Sequence, residues 1–542
     1  MSENDARFDL VILADRVVTM DAAVPEAQAV AVRGGMIVAV GDRASGVEWA
    51  AGAADVRDFG RATVTPGLID VHSHPVIGMR TARGIDLGDV ETVSQLDSVL
   101  REHATANPDG WILAWNLGPR VYADAHLGVE HFRRLLPGRS IFVKTFDYHG
   151  AFVSEEVLEA AGIRGPVEFS SNAHIECDAD GTPTGGVWEM EAVALVERAI
   201  PQPPLPEQAE ELLRLLDRMA ASGLTLTHSL ILDPDEIPLL KAAEASRPLP
   251  LRYRVSPVCE PGMDRSDLER LAALQGQSGQ RWAVEGIKFF LDGTVDNGTA
   301  WLRSPDSHGQ STQSIWQKPE DYATAMRFFA ERGILTATHA IGDAAIAFAL
   351  RTIGQLDAPA RGSHRIEHIE TLPPELVGEF ADILVTASMQ PAHCCMSLRA
   401  DQTDNWSQRL GHARADRAFA LRDILDAGGR VAISSDWPIG PFDPREIMAI
   451  AETRRRVGRP EMAPVLPLQG LSRNEALEAY TLTAAATAGR NEGRIAAGMS
   501  ATMTVYAGDF LSAHPDTLPA HDVYVTFIEG QIAYASTPVP AV

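Results

Sequence analysis

Eight short, apolar, β-rich runs, most of them separated by helical patterns, constrain this chain more than any other feature. They are TVTPGLIDVHSH, LTLTHSLI (224–231), LRYRVSPV (251–258), VEGIKFFLDG (284–293), ILTATHAIGD (334–343), HRIEHIE (364–370), LVTASMQPAH (384–393) and RVAISSDWPIG (430–440). The helical stretches EQAEELLRLLDRMAASG, EDYATAMRFFAERG and DRAFALRDILDAGG each close on a glycine, as a helix C-terminus prefers. Near-continuous apolar strands alternating with helices over about 370 residues predict a parallel (β/α)8 barrel of the TIM type.

Alternating apolar runs also occupy both ends of the chain, with hairpin signals at Arg33-Gly34-Gly35 and Glu529-Gly530. They predict one small β-sandwich domain assembled from residues 1–64 and 495–542. The barrel is then expected over 65–494. About 150 residues separate its first two strands, so residues 75–222 read as an insertion positioned over the barrel mouth.

Composition narrows the function. Lys plus Arg number 47 against 73 Asp plus Glu, a net charge of −26. That field disfavours nucleic acid and anionic membrane and suits a small-molecule substrate. The acidic N-terminus lacks the pattern of a secretory leader, and no apolar run reaches the ~20 residues of a spanning helix, so the expected location is cytoplasmic. The four cysteines form no disulfide framework and suit a reducing compartment.

Barrel chemistry sits at the C-terminal ends of the strands, and ionisable residues gather there. His72 and His74 end the first strand, Lys288 lies in the fourth, His339 ends the fifth, His368 the sixth and Asp436 the eighth. Residues i and i+2 share a strand face, so His72 and His74 can hold one ion together. A lone histidine in an apolar strand is ordinarily a hydrogen-bonded core residue. Six such residues at five strand ends converging on one mouth are not.

Imidazole and carboxylate donors in an open site suit Zn2+, or Mn2+, Fe2+ or Co2+. Hydrolysis is the natural chemistry of such an ion, with Asp436 as the proton carrier. No phosphate loop, dinucleotide glycine motif or Gly-x-Ser-x-Gly elbow competes.

The strings PGLIDVHSHP, GIKFFLDGT, THAIGDAA, RIEHIE and SSDWPIGPFDP resemble the amidohydrolase superfamily, in particular its family 3 branch with the N-substituted formamide deformylases. The resemblance implies a metal-dependent hydrolase acting on a non-peptide C–N bond (an amide, N-formyl or N-acyl amine). One or two ions would be held by His72, His74, Lys288, His339, His368 and Asp436, with Lys288 carboxylated on its side-chain nitrogen where two ions are bridged. It further implies Asp436 as general acid/base, His149 near the substrate carbonyl, and a homodimer. The chain departs from the branch after Lys288, where Asp296 and Asn297 stand in place of a Gly-Ser segment followed by arginine. Trp115, Tyr148, Phe152, Trp188 and Trp437 are candidates, with Asp296, to contact the substrate. Alternatives on the same scaffold are a heterocyclic amine deaminase, a cyclic amide hydrolase, or a catalytically silent metal-binding ligand sensor.

Overall fold

The computed structural model describes residues 7–123, 125–357 and 364–536. Eight parallel strands carry the centre of the fold: β1 (Leu68–Ser73), β2 (Leu224–Ser229), β3 (Arg252–Val255), β4 (Ile287–Phe290), β5 (Thr336–Ala340), β6 (His364–His368), β7 (Thr386–Met389) and β8 (Arg430–Ile433). β1, β2 and β3 pair in order, and β4 through β8 pair in order. Isolated parallel bridges join the two sets. Ser73 pairs with Trp437 just beyond β8, and Val258 just beyond β3 pairs with Lys288 in β4. Every residue of β1, β2, β5 and β6 is buried, as expected of parallel strands covered on both faces.

Helices supply that cover. Leu205–Ala221 buries Leu212, Leu213, Leu216 and Met219 at helical spacing, and Pro319–Ala330 buries Tyr322, Met326 and Phe329. Among the described residues, no helix is long and apolar enough to cross a membrane.

Strands from both ends of the chain share one eight-stranded sheet. Its hairpins turn at Gly34-Gly35, both with positive φ, and at Glu529-Gly530. The strand Thr63–Pro66 pairs antiparallel with Met503–Tyr506, then runs through Gly67 directly into β1. Gly67 is required by close approach: a Cβ there would lie 2.4 Å from Thr225 Oγ1. Between β1 and β2 the chain builds a separate six-stranded sheet from strands between Ile85 and Trp188.

Several strand limits differ from the sequence-based expectation. The run at 384–393 stops at Met389, because Pro391 opens a helix, Pro391–Ser397, in which His393 lies. The run at 284–293 is interrupted at Gly286 (φ +85), leaving Trp282–Val284 and Ile287–Phe290 as separate strands. The eighth strand ends at Ile433, and the helix within DRAFALRDILDAGG is confined to Leu421–Asp426.

Candidate metal centre

The centre is built on the junction of β1 and β8. Asp70 Oδ1 accepts the backbone N–H groups of Ser435 (3.1 Å) and His72 (3.3 Å), and Oδ2 accepts the Ser435 hydroxyl. Burial pushes the Asp70 carboxyl up to about 7, against the pull of those bonds. The main chain completes the clamp: Asp436 N–H donates to His72 O (2.8 Å) and His74 N–H to Trp437 O (2.7 Å). The two histidines and the aspartate, 364 positions apart at their widest by sequence number (436 − 72), are thus brought together by backbone bonds before any side chain is considered.

Asp436 stands between two groups of imidazoles. Its Oδ1 lies 3.2 Å from His72 Nε2 and 3.0 Å from His74 Nε2. Its Oδ2 lies 3.7 Å from His393 Nε2 and 3.9 Å from His368 Nδ1. The ligand atoms of His72, His74 and Asp436 fall within 4.8 Å of one another, as do those of His368, His393 and Asp436. All five residues are buried.

This donor set fits divalent cations. His368 Nδ1 and His393 Nε2 are buried with no hydrogen-bond partner among the described residues, an arrangement that costs free energy unless something else engages them. Burial drives His72, His339 and His368 well below the ordinary imidazole range, toward the neutral form that binds a metal. Asp436 is held well below the usual carboxylate range: burial alone would raise it, but the facing His72 and His74 prevail.

The remaining sequence-identified residues surround this core. Lys288 is fully buried and its Nζ has no hydrogen-bond partner among the described residues. Burial lowers it to about 8, opposed by Glu367 and Asp436. His339 packs edge to face with His368, ring centres 4.4 Å apart, and its Nε2 is 3.3 Å from Gly293 O and 3.6 Å from Asp292 Oδ1. His149, from the turn after the inserted strand Ile141–Thr145, reaches the same cavity. Its Nδ1 is 2.8 Å from Glu189 Oε2. Burial would lower this imidazole, but Glu189 and Asp147 raise it to about 9.

Four residues of the site hold positive φ without being glycine: Tyr148 (66°), Glu189 (68°), His368 (74°) and Asp436 (51°). Such conformations cost roughly 1–3 kcal/mol each and persist where the surroundings over-determine them. At His368 the reason is visible. Strand alternation puts Arg365 and Glu367 on one face, and the turn at residue 368 brings the next side chain to the centre as well.

The cavity, about 850 Å3 with its open mouth, is lined by His72, His74, His149, Lys288, His339, His368, His393 and Asp436, and also by Tyr148 and Asp296. Trp115 and Trp437 line a larger groove that adjoins it and shares Phe146, Asp296, Ser397, Pro438 and Ile439 with it. Phe152 and Trp188 are elsewhere, packed edge to face (ring centres 5.5 Å apart) beside Tyr122 within the insertion. His393, Glu367 and Asp292 were not among the sequence candidates. His393 is the last residue of the seventh apolar run, where only Pro391 signals the change from strand to helix that carries it into the site.

The sequence profile of the amidohydrolase family matches residues 55–534. The chain is 26% identical over 551 aligned residues to the N-substituted formamide deformylase of Arthrobacter pascens, covering 98% of this chain and 99% of that protein. Among solved structures it is similar to an uncharacterized metal-dependent hydrolase from Pyrococcus horikoshii OT3, with a TM-score of 0.71 at 19% identity, over 93% of this chain and 99% of that one. It is also similar to a mutant of the atrazine chlorohydrolase TrzN from Arthrobacter aurescens TC1 complexed with zinc and atraton. There the TM-score is 0.52 at 16% identity, over 96% and 94% of the two chains.

Proposed function

The chain belongs to the amidohydrolase family, and from that premise we propose that it is a metal-dependent hydrolase cleaving the C–N bond of a small N-formyl or N-acyl amine. The observation that carries the reading is Asp436, whose two carboxylate oxygens face two separate groups of buried imidazoles. His72, His74 and Asp436 would hold one ion, and His368, His393 and Asp436 a second, with His339 and Lys288 beside them. Zinc is the ion we favour, supported by the nitrogen-rich donor set. The orphaned Lys288 Nζ supports a carboxylated lysine bridging the two.

Ions of this kind lower the pKa of a water to roughly 7 and polarise a carbonyl oxygen. The chain's own groups do the rest. Asp436 accepts the proton of the attacking water and delivers it to the leaving nitrogen, so that amide plus water yields carboxylic acid plus amine. His149, kept cationic by Glu189, donates from Nε2 to the carbonyl oxygen as charge develops there. Glu367 and Asp70 hold His72 and the β1–β8 junction in place.

The scaffold in this reading is a (β/α)8 barrel over 65–494, supported by the two bridges that connect its strand sets. Residues 75–222 form the insertion, and residues 1–64 with 495–542 the composite β-domain.

The test is metal content by elemental mass spectrometry on protein purified without chelator or nickel resin, followed by a panel of N-formyl and N-acyl amines. Carboxylate and free amine released together, with two ions falling to one or none in Lys288→Ala, is the expected result. Metal-replete protein that turns over no amide, carbamate or cyclic amide overturns the reading.

A further inference from the structure

Three carboxyl groups line the cavity from three separate parts of the chain: Asp147 in the inserted turn, Asp296 after β4 and Glu370 after β6. Burial is the main influence raising Glu370, to about 8, and Asp296, to about 7; the neighbouring carboxyls add to it, Glu370 feeling Asp296 and Asp147, and Asp296 feeling Asp147. Among the described residues, none of the three makes an ion pair with lysine or arginine. Their partners are neutral donors instead. Thr294 Oγ1 (2.8 Å) and Asn297 Nδ2 (2.6 Å) donate to Asp147 Oδ2; Asn405 Nδ2 donates to Asp296 Oδ1 (2.8 Å); Trp406 Nε1 donates to Glu370 Oε2 (2.8 Å). Each of these bonds is accepted by the carboxyl and none brings a positive charge, so the three groups are hydrogen-bonded without being neutralised by a partner, and a cation seated against them would favour their ionised form.

The cations nearby are committed elsewhere. Lys144 pairs with Glu197 and sits over the Tyr148 ring, His149 pairs with Glu189, and Arg409 bonds Asp306. That this cavity is made for a ligand rests on separate observations: Lys288 Nζ, His368 Nδ1 and His393 Nε2 line it, more than nine-tenths buried and without hydrogen-bond partners. A buried surface of carboxyl groups that are hydrogen-bonded yet unpaired with any lysine or arginine is complementary to a cation.

We propose that the substrate carries a protonated amine or other organic cation, seated against Asp147, Asp296 and Glu370, while its amide lies at the metal centre. The inference deepens the hydrolase reading and rests on it for the amide half alone.

The decisive experiment has two arms. In the first, kcat/KM of metal-replete enzyme is compared between N-acetylcadaverine, cationic at its far end, and its neutral isostere N-hexylacetamide. The cationic substrate should be favoured by about tenfold or more, the worth of one charge-assisted contact, and the ratio should fall toward one in Asp296→Asn and in Glu370→Gln. In the second, calorimetry on the wild type measures binding of hexyltrimethylammonium against 1-hexanol, which needs no turnover. Tighter binding of the ammonium supports the inference even if every amide fails and the hydrolase reading falls. Equal binding of the two probes, or preference for the neutral isostere in turnover, overturns it.

Discussion

His72 Nδ1 lies 2.8 Å from Glu367 Oε2, with both side chains fully enclosed, so the carboxylate fixes which imidazole nitrogen is left to face Asp436. Arg365 donates to the other Glu367 oxygen, to Val71 O (2.8 Å), and approaches His228 Nδ1 (3.0 Å). A carboxylate behind a ligating histidine raises its basicity and holds its tautomer. Glu367→Gln is therefore expected to weaken metal binding by about 10–100-fold, read as the apparent Kd in a chelator competition. Unchanged affinity would mean that His72 is oriented by its backbone bonds alone.

The His149–Glu189 pair predicts an alkaline limit. An imidazole raised to about 9 stays cationic through neutral pH and loses its proton as pH rises through that value. Activity that depends on its donor N–H is thus fully present below about pH 8 and falls above about pH 9. Removing the carboxylate in Glu189→Gln leaves burial as the main influence, which should move the falling limb of the kcat/KM profile to lower pH. A limb that stays in place assigns the ionisation to another group.

Gly78 meets the indole of Trp437: a Cβ at position 78 would sit 2.0 Å from its Cζ3. Trp437 follows Asp436 directly and its carbonyl receives His74 N–H. Gly78→Ala should cost about 1–3 kcal/mol by overpacking. It should also displace the aspartate, lowering kcat by more than the stability loss explains. Thermal unfolding measured beside steady-state kinetics checks this, and full activity at reduced Tm would show the indole moving alone.

Glu236 offers a stability test that does not depend on metal binding. Burial lifts its carboxyl from 4.5 to about 7, against a hydrogen bond from the Tyr253 hydroxyl. Because the folded value is raised, the associated stability is complete below about pH 4.5 and is lost as pH rises through about 7. Glu236→Gln removes that dependence, so the Tm of the variant relative to wild type should climb between pH 5 and pH 8. A difference that stays flat with pH would show the folded carboxyl ionising at its ordinary value.

The strand ends were legible because period-two spacing and apolar runs are local properties. His72 and His74 could be paired on one face, and Asp436 recognised as polar where a strand should stop. His393 was hidden because an apolar run gives no sign of where extended chain becomes helix, and only the proline at 391 marks it. Glu367 was hidden by the rule that revealed the others: strict alternation would send it away from His368, and only the positive φ at residue 368 brings both inward. Phe152 and Trp188 show the converse. An aromatic residue near a site loop in sequence serves the core of the insertion when its ring finds partners there.

The pairing of Thr63–Pro66 with Met503–Tyr506 sets a timetable for synthesis. The first half of the metal centre leaves the ribosome early, yet its supporting strand has no neighbour on that side until more than 400 residues have followed. A nascent chain therefore carries exposed strand edges and unclaimed histidines for most of its translation, the interval in which chaperones and competing metals can reach them. Loss of even the last strands would leave a polypeptide with every candidate site residue present and no finished frame to hold them.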